Sequence, residues 1–476
     1  MSRVECSLAP ANRRTAGEGI VGVSDTTDVP RIRARLAKVL FGRANVCHFS
    51  RGVTAMRVVA AIVASLLLSP ASGADLSEPE QRIVTAIDGR REPAIGLLKE
   101  TVDIPSATEN LAGVRRVGAV YARELEALGF ETSWAELPPA MARAGHLVAV
   151  RGGSRGKRLL LIGHLDTVLE KEAFRREGDR AYGSGVSDMK GGNLVIVEAL
   201  RALAAAGVLS DRRITVVLTG DEEDAGLPPS VAREPLKAVA HDSDAALAFE
   251  GSSPGVAVIG RRGVGTWRLH VTGEQAHSSG IFREERGDGA IYETARILAR
   301  IHDELREPYL TINPSVIVGG TDVAYDTASK SGTALGKTNV IPREVRVEGD
   351  IRYLSNTQLD AARERMTAIV ATHLPRTDAM IEVVGEYPAM TPTDANRELL
   401  TALDRVSQDL GEGEIVAQDP AERGAGDVSF VAEGLACLDG LGAEGGNEHA
   451  PGEYVDLALL PVLTKRAALL IYRLTR

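Results

Sequence analysis

The chain of 476 residues is 44% hydrophobic and 25% charged, a composition that excludes a disordered or fibrous protein and leaves room for two or three domains. Its formal net charge of −10 argues against a nucleic-acid partner, because phosphate binding needs clustered Lys and Arg side chains.

The N-terminal segment has the pattern of an export signal. A basic residue follows Met56, an apolar stretch runs over 58–68, and small residues continue to Ala74. We therefore interpret 1–74 as a leader with a signal peptide, with Met56 as the preferred start, and expect an exported, periplasmic or secreted protein that begins near Asp75. The apolar stretch is too short to span a membrane, so we expect no stable membrane anchor. A buried N-terminal helix is the alternative.

After the leader, the apolar pattern predicts alternating helices and strands. Helical periodicity appears at Glu78–Val102, Gly113–Leu128 and Gly191–Ala206. Short apolar runs rich in β-branched residues predict strands at His146–Gly152, Arg158–His164, Arg213–Gly220 and Ala245–Gly251. The alternation indicates an α/β sheet with helices on its faces.

A second pattern interrupts the first. Longer alternating strands at Thr266–Gly273 and Val345–Leu354 surround predicted helices at Gly287–Glu304 and Thr357–His373, which is typical of an α+β unit. The α/β character returns with predicted helices at Asn396–Leu410 and Leu457–Leu474. We therefore expect a catalytic domain in two parts, with a second domain inserted between them: 75–261, 262–385 and 386–476.

Polar residues that can bind metal follow the predicted strands. His164 and Asp166 come directly after a strand in IGHLDTV, where open α/β folds place their ligands. Histidine is a common zinc ligand, and a carboxylate two residues on can hold its ring, although a surface histidine gives the same pattern. Asp188 in GVSDMKGGN precedes a helix, where simple N-capping is the alternative.

Three more clusters add carboxylates and an imidazole. Glu222 and Glu223 end a strand in TGDEEDAG, where adjacent acids repel unless a cation lies between them or they have different tasks. Glu250 in AFEGS follows another strand, although acidic strand ends are also common on surfaces. His449 lies in the Gly-rich loop of GGNEHAPGEYVDL. Together, three carboxylates and two imidazoles suit two Zn ions that share one carboxylate.

The order and context of GHLDTV, GVSDMKGG, GDEE, FEG and GGNEHAPGEYVDL resemble the zinc peptidase family that includes glutamate carboxypeptidase, aminoacylase, acetylornithine deacetylase and succinyl-diaminopimelate desuccinylase. The resemblance covers nearly all of the chain after the leader, and LLKETVDIPSATENLAGVRRVGAVYARELEALGF is similar to the start of the glutamate carboxypeptidase branch. It implies a zinc-exopeptidase-like catalytic domain of α/β class, with helices on both faces of a mixed sheet, and an inserted α+β lid through which two chains form a homodimer.

The resemblance also implies roles for individual residues. Asp188 would bridge two zinc ions, and Glu222 would be the general base. The remaining ligands would be His164 and Glu250 at one ion, and Glu223 and His449 at the other. Asp166 would orient His164, and a cis peptide bond would follow Asp188.

Four residues are implied to line the substrate pocket. His277 in GEQAHSSG would help to hold the reacting carbonyl, often from the neighbouring subunit, and Arg352 in GDIRYLS would grip a substrate carboxylate. Asn339 in TNVIP and Gly426 in RGAGDVSF would complete the pocket. The stretch after His277 and the RGAGD run both depart from the family pattern, which leaves the substrate's identity open.

These features predict a two-zinc hydrolase of amide bonds in small peptides or N-acyl amino acids. A guanidinium fork at Arg352 suits a substrate with a free α-carboxyl group, which favours a C-terminal exopeptidase. An N-acyl-amino-acid hydrolase is the alternative, because its leaving group carries the same carboxylate. A metal-dependent binding protein without activity is a remote alternative, since Glu222 and all five ligands are present.

Overall fold

The computed structural model describes residues 76–476. The predicted leader and signal peptide at 1–74 lies outside the described residues. Within 76–476, none of the helices has both the length and the apolar composition that crossing a lipid bilayer requires.

The described residues form ten α-helices, numbered in chain order: α1 Glu78–Asp88, α2 Arg91–Val102, α3 Leu111–Glu126, α4 Lys190–Ala205, α5 Pro229–Ala232, α6 Glu234–Ala240, α7 Gly289–Glu304, α8 Asn356–Val370, α9 Asp394–Asp409 and α10 Leu460–Leu474. They form eighteen strands: β1 Glu131–Ala135, β2 His146–Arg151, β3 Arg155–His164, β4 Arg175–Glu177, β5 Arg180–Tyr182, β6 Arg212–Thr219, β7 Ala245–Ala248, β8 Val256–Ala257, β9 Gly263–Gly273, β10 Thr311–Gly320, β11 Asp322–Asp326, β12 Ser331–Leu335, β13 Glu344–Tyr353, β14 Thr377–Tyr387, β15 Val416–Ala417, β16 Ala436–Leu438, β17 Gly445–Gly446 and β18 Tyr454–Asp456.

A mixed six-stranded sheet forms the centre of the α/β part of the chain, in the order β1, β2, β6, β3, β7, β16. β3 pairs in parallel with β6 and β7, and β7 with β16, whereas β1 and β2 run antiparallel at one edge. In β3, Leu159 and Leu161 enter one hydrophobic core, and Leu160 and Ile162 enter the core on the other face. Because successive side chains alternate across a sheet, the continuous apolar run of β3 reflects burial on both sides.

Helices cover both faces of this sheet. α1, α2 and α10 pack against α4 on one face. On the other face, α6 contributes Leu236, and the 3-10 turn Asp427–Phe430 contributes Val428. The predicted α/β class with helices on both faces of a mixed sheet is therefore confirmed.

Residues 263–387 form a second, antiparallel sheet in the order β10, β13, β9, β14. Trp267, Leu269 and Val271 of β9 point to one face, where they pack with side chains of α7 and α8 in a separate core. The alternate residues of β9 are half-buried on the other face. This unit lies in the chain between β8 and α9, and we refer to it as the inserted domain.

One predicted helix differs from the structure. The sequence pattern predicts a single helix over 78–102, but the structure has α1 and α2, which are separated at Gly89 and Arg90. Pro93 lies in the first turn of α2, where its missing N–H costs no hydrogen bond within the helix. Gly89 and Pro93 together therefore mark the break.

Candidate metal centre

The pairing of β3 with β6 brings the first metal-binding motifs together. His164 is the last residue of β3 and is paired with Thr219, the last residue of β6. The chain then turns at once into Glu222 and Glu223. Glu250 lies two residues beyond the end of β7, the other parallel neighbour of β3. Parallel strands thus deliver these side chains to one edge of the sheet.

Asp188 lies between two groups of possible metal ligands. One group is His164, Asp188 and Glu250, and the other is Asp188, Glu223 and His449, with the ligand atoms of each group within 4.8 Å of one another. Its Oδ1 is 3.0 Å from Nε2 of His164, and its Oδ2 is 3.0 Å from Nε2 of His449. The carboxylate therefore presents one oxygen to each group. The peptide bond between Asp188 and Met189 is cis, as the family resemblance implies.

The carboxylates of this centre are crowded and partly unpaired. Burial raises the pKa of Glu250 to about 8, and burial together with the charge of Glu250 raises the pKa of Glu222 well above its usual range. Burial also raises the pKa of Glu223, whose Oε1 is buried without a hydrogen-bond partner among the described residues. Bound cations relieve such crowding, so the donor set and the orphaned oxygen both fit a metal centre.

Asp166 contacts His164 and the backbone of Glu222 and Glu223. The ring nitrogen Nδ1 of His164 is 3.0 Å from the backbone carbonyl oxygen of Asp166 and 3.5 Å from its carboxylate. A proton on Nδ1 is donated there, which leaves Nε2 free to bind a metal. The Asp166 carboxylate accepts hydrogen bonds from the amides of Glu222 (3.0 Å) and Glu223 (3.1 Å) and from the hydroxyl of Thr108 (2.7 Å). Asp166 therefore holds the two glutamates as well as the histidine.

Glu453 performs a similar task for Asp188. It is buried, and its carboxylate accepts hydrogen bonds from the backbone amides of Gly185 (2.7 Å), Ser187 (2.8 Å) and Asp188 (2.9 Å). Sequence reasoning missed this residue, although it lies four positions after His449 in the same motif. The signal was a second acidic residue within a glycine-rich segment.

Within residues 76–476, the predicted pocket residues of the inserted domain form no side-chain hydrogen bonds to the metal ligands. His277 is exposed, and its Nδ1 is 2.9 Å from the hydroxyl of Ser279. The amide of Ser278 donates to the carbonyl of Asn339 (2.9 Å), so the predicted residues His277 and Asn339 are neighbours. Within 76–476, the side chain of His277 has no hydrogen bond to a metal ligand of its own chain.

Arg352 and Gly426 occupy different surroundings. Arg352 is half-exposed and contacts Asp350 through Nε at 3.1 Å. Gly426 lies against the buried Arg261, and a Cβ at Gly426 would be 3.0 Å from the guanidinium carbon. Arg261 bonds the carbonyls of Gly424 and Ala425 at 3.0 Å each, so it fixes the loop that contains Gly426. Sequence reasoning missed Arg261, because its partners are distant in the chain.

The chain is similar to known proteins in sequence and in fold. The chain is 28% identical to carboxypeptidase G2 of Pseudomonas sp. (strain RS-16) over 424 residues, which cover 86% of this chain and 96% of the relative. It is 29% identical to succinyl-diaminopimelate desuccinylase of Leptothrix cholodnii over 302 residues, 59% of this chain and 74% of the relative. The aminopeptidase PepT structure from Bacillus cereus has the same fold, with a TM-score of 0.67, 18% identity, and coverage of 81% of this chain and 99% of that one.

The family itself is identified by a match that spans all five candidate metal ligands. The profile of Peptidase family M20/M25/M40 matches residues 160–473, and the chain therefore belongs to this family of metallopeptidases and amidohydrolases.

Proposed function

We propose that this protein is a two-zinc hydrolase that removes a C-terminal residue with a free α-carboxyl group from a small peptide or peptide-like substrate. The observation that carries the proposal is the placement of Asp188, with one carboxylate oxygen 3.0 Å from His164 and the other 3.0 Å from His449. A helix cap would direct its carboxylate to backbone amides rather than between two imidazoles.

The chain's own residues define the metal site and the proton transfer. His164, Asp188, Glu223, Glu250 and His449 would hold two zinc ions, a donor set of imidazoles and carboxylates that zinc prefers. Zinc bound there supplies Lewis-acid activation of an amide carbonyl and of water. Glu222 accepts the proton of the attacking water and returns it to the leaving amine.

Arg352 accounts for the preference for a carboxylate. Asp350 engages only Nε of the guanidinium group, at 3.1 Å. A guanidinium group has five N–H donors in a planar fork, so a substrate carboxylate can bind at the Nη groups. Gly426 and Asn339 complete the pocket in this proposal.

His277 serves the site of a second chain in this proposal. The residue is exposed and lies beside Asn339 in the inserted domain. We propose a homodimer formed through the inserted domains, in which His277 donates a hydrogen bond to the developing oxyanion in its partner's site.

The second candidate function is hydrolysis of N-acyl amino acids. The match to succinyl-diaminopimelate desuccinylase favours it, because that relative's name describes removal of a succinyl group. The metal site and Arg352 serve both reactions equally, since both leaving groups carry an α-carboxylate next to the amine.

A substrate panel on zinc-loaded enzyme separates the two candidates. The panel contains folyl-glutamate-like compounds, dipeptides, and N-acetyl and N-succinyl amino acids, each also as its C-terminal amide. We expect turnover of the free acids of the first two groups and loss of turnover with every amide. Preference for the N-acyl amino acids would favour the second candidate, and equal hydrolysis of acids and amides would refute the carboxylate requirement.

We also propose that the protein is exported and that its mature form begins near Asp75. The support is the pattern of a basic residue, an apolar stretch and small residues before that position. N-terminal sequencing of protein recovered from the periplasm or medium tests this proposal, and a mature chain that starts at Met1 would contradict it.

A further inference from the structure

The two peptide groups that flank Glu222 are each held at both ends by side chains. The peptide before Glu222 donates its N–H to Asp166 (3.0 Å), and its carbonyl, which belongs to Asp221, accepts from Nη2 of Arg233 (3.0 Å). The peptide after Glu222 donates its N–H to Asp166 (3.1 Å), and its carbonyl accepts from the hydroxyl of Tyr387 (3.3 Å). Four hydrogen bonds thus fix the backbone that carries the proposed base.

Arg233 is a rigid support for this backbone. Its side chain is fully buried and forms ion pairs with Asp221 (2.6 Å) and Asp427 (2.5 Å). Asp427 also accepts a hydrogen bond from Thr219 (2.6 Å), at the end of the strand that leads to Glu222. Removing one partner of a buried ion pair leaves an uncompensated charge, so each member holds the others in place.

Tyr387 is the last residue of β14, and it links the inserted domain to the same backbone. Its ring packs edge-on against Phe430, with 5.0 Å between ring centroids, and Phe430 belongs to the turn that contains Asp427. Its carbonyl accepts a hydrogen bond from Tyr353 of β13 at 2.8 Å. Tyr387 therefore stands between the sheet of the inserted domain on one side and the Glu222 carbonyl on the other.

We propose that Arg233 and Tyr387 are positioning residues for Glu222, which fix the direction of its carboxylate by holding the carbonyls on either side of it. The inference rests on the proposed role of Glu222 as the base. It further means that the end of β14 and the orientation of the base depend on one another. Small displacements of a catalytic group reduce the rate of a reaction without weakening substrate binding, so the effect belongs in kcat.

The variant Tyr387→Phe tests the proposal with the loss of a single hydroxyl group. We expect kcat to fall about tenfold, with KM, zinc content and melting temperature close to those of the unchanged enzyme. The matched control is Tyr325→Phe, which removes a hydroxyl bonded to Glu348 at 3.1 Å in the inserted domain. This control should retain full kcat, and a kcat in Tyr387→Phe equal to that of the control would overturn the proposal.

Amide hydrogen exchange gives a readout that does not depend on activity. The peptide that contains Glu222 and Glu223 should exchange faster in Tyr387→Phe than in Tyr325→Phe, both with and without zinc, because one of its four restraints is lost. Equal exchange in the two variants would contradict the proposed restraint.

The double variant Glu222→Gln/Tyr387→Phe distinguishes positioning of the base from a general structural effect. If Tyr387 acts through Glu222, adding Tyr387→Phe to Glu222→Gln should leave the residual rate within about twofold. An equal loss in both backgrounds would overturn the inference. Full turnover by Glu222→Gln alone would instead refute the base assignment, and the inference with it.

Arg233→Lys provides a second variant. Lysine keeps a positive charge between Asp221 and Asp427 but cannot supply three hydrogen bonds in the same plane. For protein that folds and binds zinc, we expect a loss of kcat at least as large as that of Tyr387→Phe. Unchanged kcat would remove Arg233 from the proposal.

Discussion

Individual carboxylates in this centre make different contacts, and these contacts suit different tasks. Asp188 faces two histidines, and Asp166 faces backbone amides. Glu222 has no side-chain hydrogen bond within residues 76–476, and burial and the charge of Glu250 raise its pKa. A carboxylate that is close to the ligands and otherwise uncommitted is suited to proton transfer.

Glu222→Gln should therefore abolish proton transfer and retain the metals. We expect turnover to fall by at least about a hundredfold, because the amide can neither accept nor return the proton. Zinc content and melting temperature should stay close to those of the unchanged enzyme. Undiminished turnover in a zinc-replete sample would show that Glu222 is not the base.

Asp166→Asn tests the residue behind the ligands. The amide keeps one carbonyl oxygen but places an NH2 group against a backbone N–H, so one of the two glutamate amides loses its acceptor. We expect a loss of about 10–100-fold in zinc affinity or activity, which is typical of residues that orient ligands. Zinc competition with a chromophoric chelator measures the affinity. Asp360→Asn, at an exposed aspartate that pairs with Arg363, is a surface control, and an equal effect of the two changes would refute the special position of Asp166.

The metal-ligand cluster could be predicted from sequence because each ligand follows a local signal, such as a strand end, a glycine-rich turn or a run of acids. The residues that hold the backbone around Glu222 could not be predicted from sequence. Arg233 and Asp427 are 194 positions apart, and Glu222 and Tyr387 are 165 apart, so no local pattern marks either pair. Arg233 in particular reads as an ordinary charged residue near short helices, yet it is fully buried.

At the scale of elements, apolar periodicity predicts the type of each long helix and strand. The differences are the break at Gly89 and Arg90 within 78–102 and the ends of several elements. β7 ends at Ala248, so Glu250 belongs to the following loop, and α10 begins at Leu460 rather than Leu457. Periodicity reports burial of a face, whereas the end of an element depends on hydrogen bonds and on residues such as Pro461 in the first turn of α10. Short strands such as β17 and β18 have too few residues to show an alternating apolar pattern, so the sequence does not predict them.

The contacts of His449, which lies in the loop between β17 and β18, with Asp188 and Glu223 predict how metal binding depends on pH. Without metal, hydrogen bonds to Asp188 and Glu223 raise the pKa of His449 to about 11, so the ring carries a proton at neutral pH. A metal must displace that proton, and zinc binding should therefore release protons and strengthen as pH rises. Calorimetry in buffers of different ionisation enthalpy measures the release. Zinc affinity that is constant between pH 6 and about pH 8 would contradict this linkage.

At the scale of the whole molecule, residues 76–476 form five sheets, of which the six-stranded sheet and the sheet of β10, β13, β9 and β14 form the centres of the two domains. Tyr387 of the inserted domain donates a hydrogen bond to the carbonyl of Glu222 in its own chain. His277 and Asn339 are exposed on that domain, and within residues 76–476 their side chains form no hydrogen bond to a metal ligand. A second chain that supplies His277 would complete both sites of a dimer at once, as closed two-fold symmetry requires.

Purified heterodimers with different tags on the two chains test this arrangement directly. One chain carries Glu222→Gln and the other His277→Ala, and each variant alone should be nearly inactive, because one lacks the base and the other the oxyanion donor. If His277 acts in the partner's site, the mixed dimer contains one complete site and should show about half of the unchanged activity. If His277 acts within its own chain, neither site is complete and the mixed dimer should be inactive.

The reciprocal control places both changes in one chain and pairs it with an unchanged chain. The first arrangement predicts that this dimer is inactive, since the unchanged base lacks a partner histidine, and the second predicts about half activity. Opposite outcomes in the two dimers therefore show which chain's His277 completes each site.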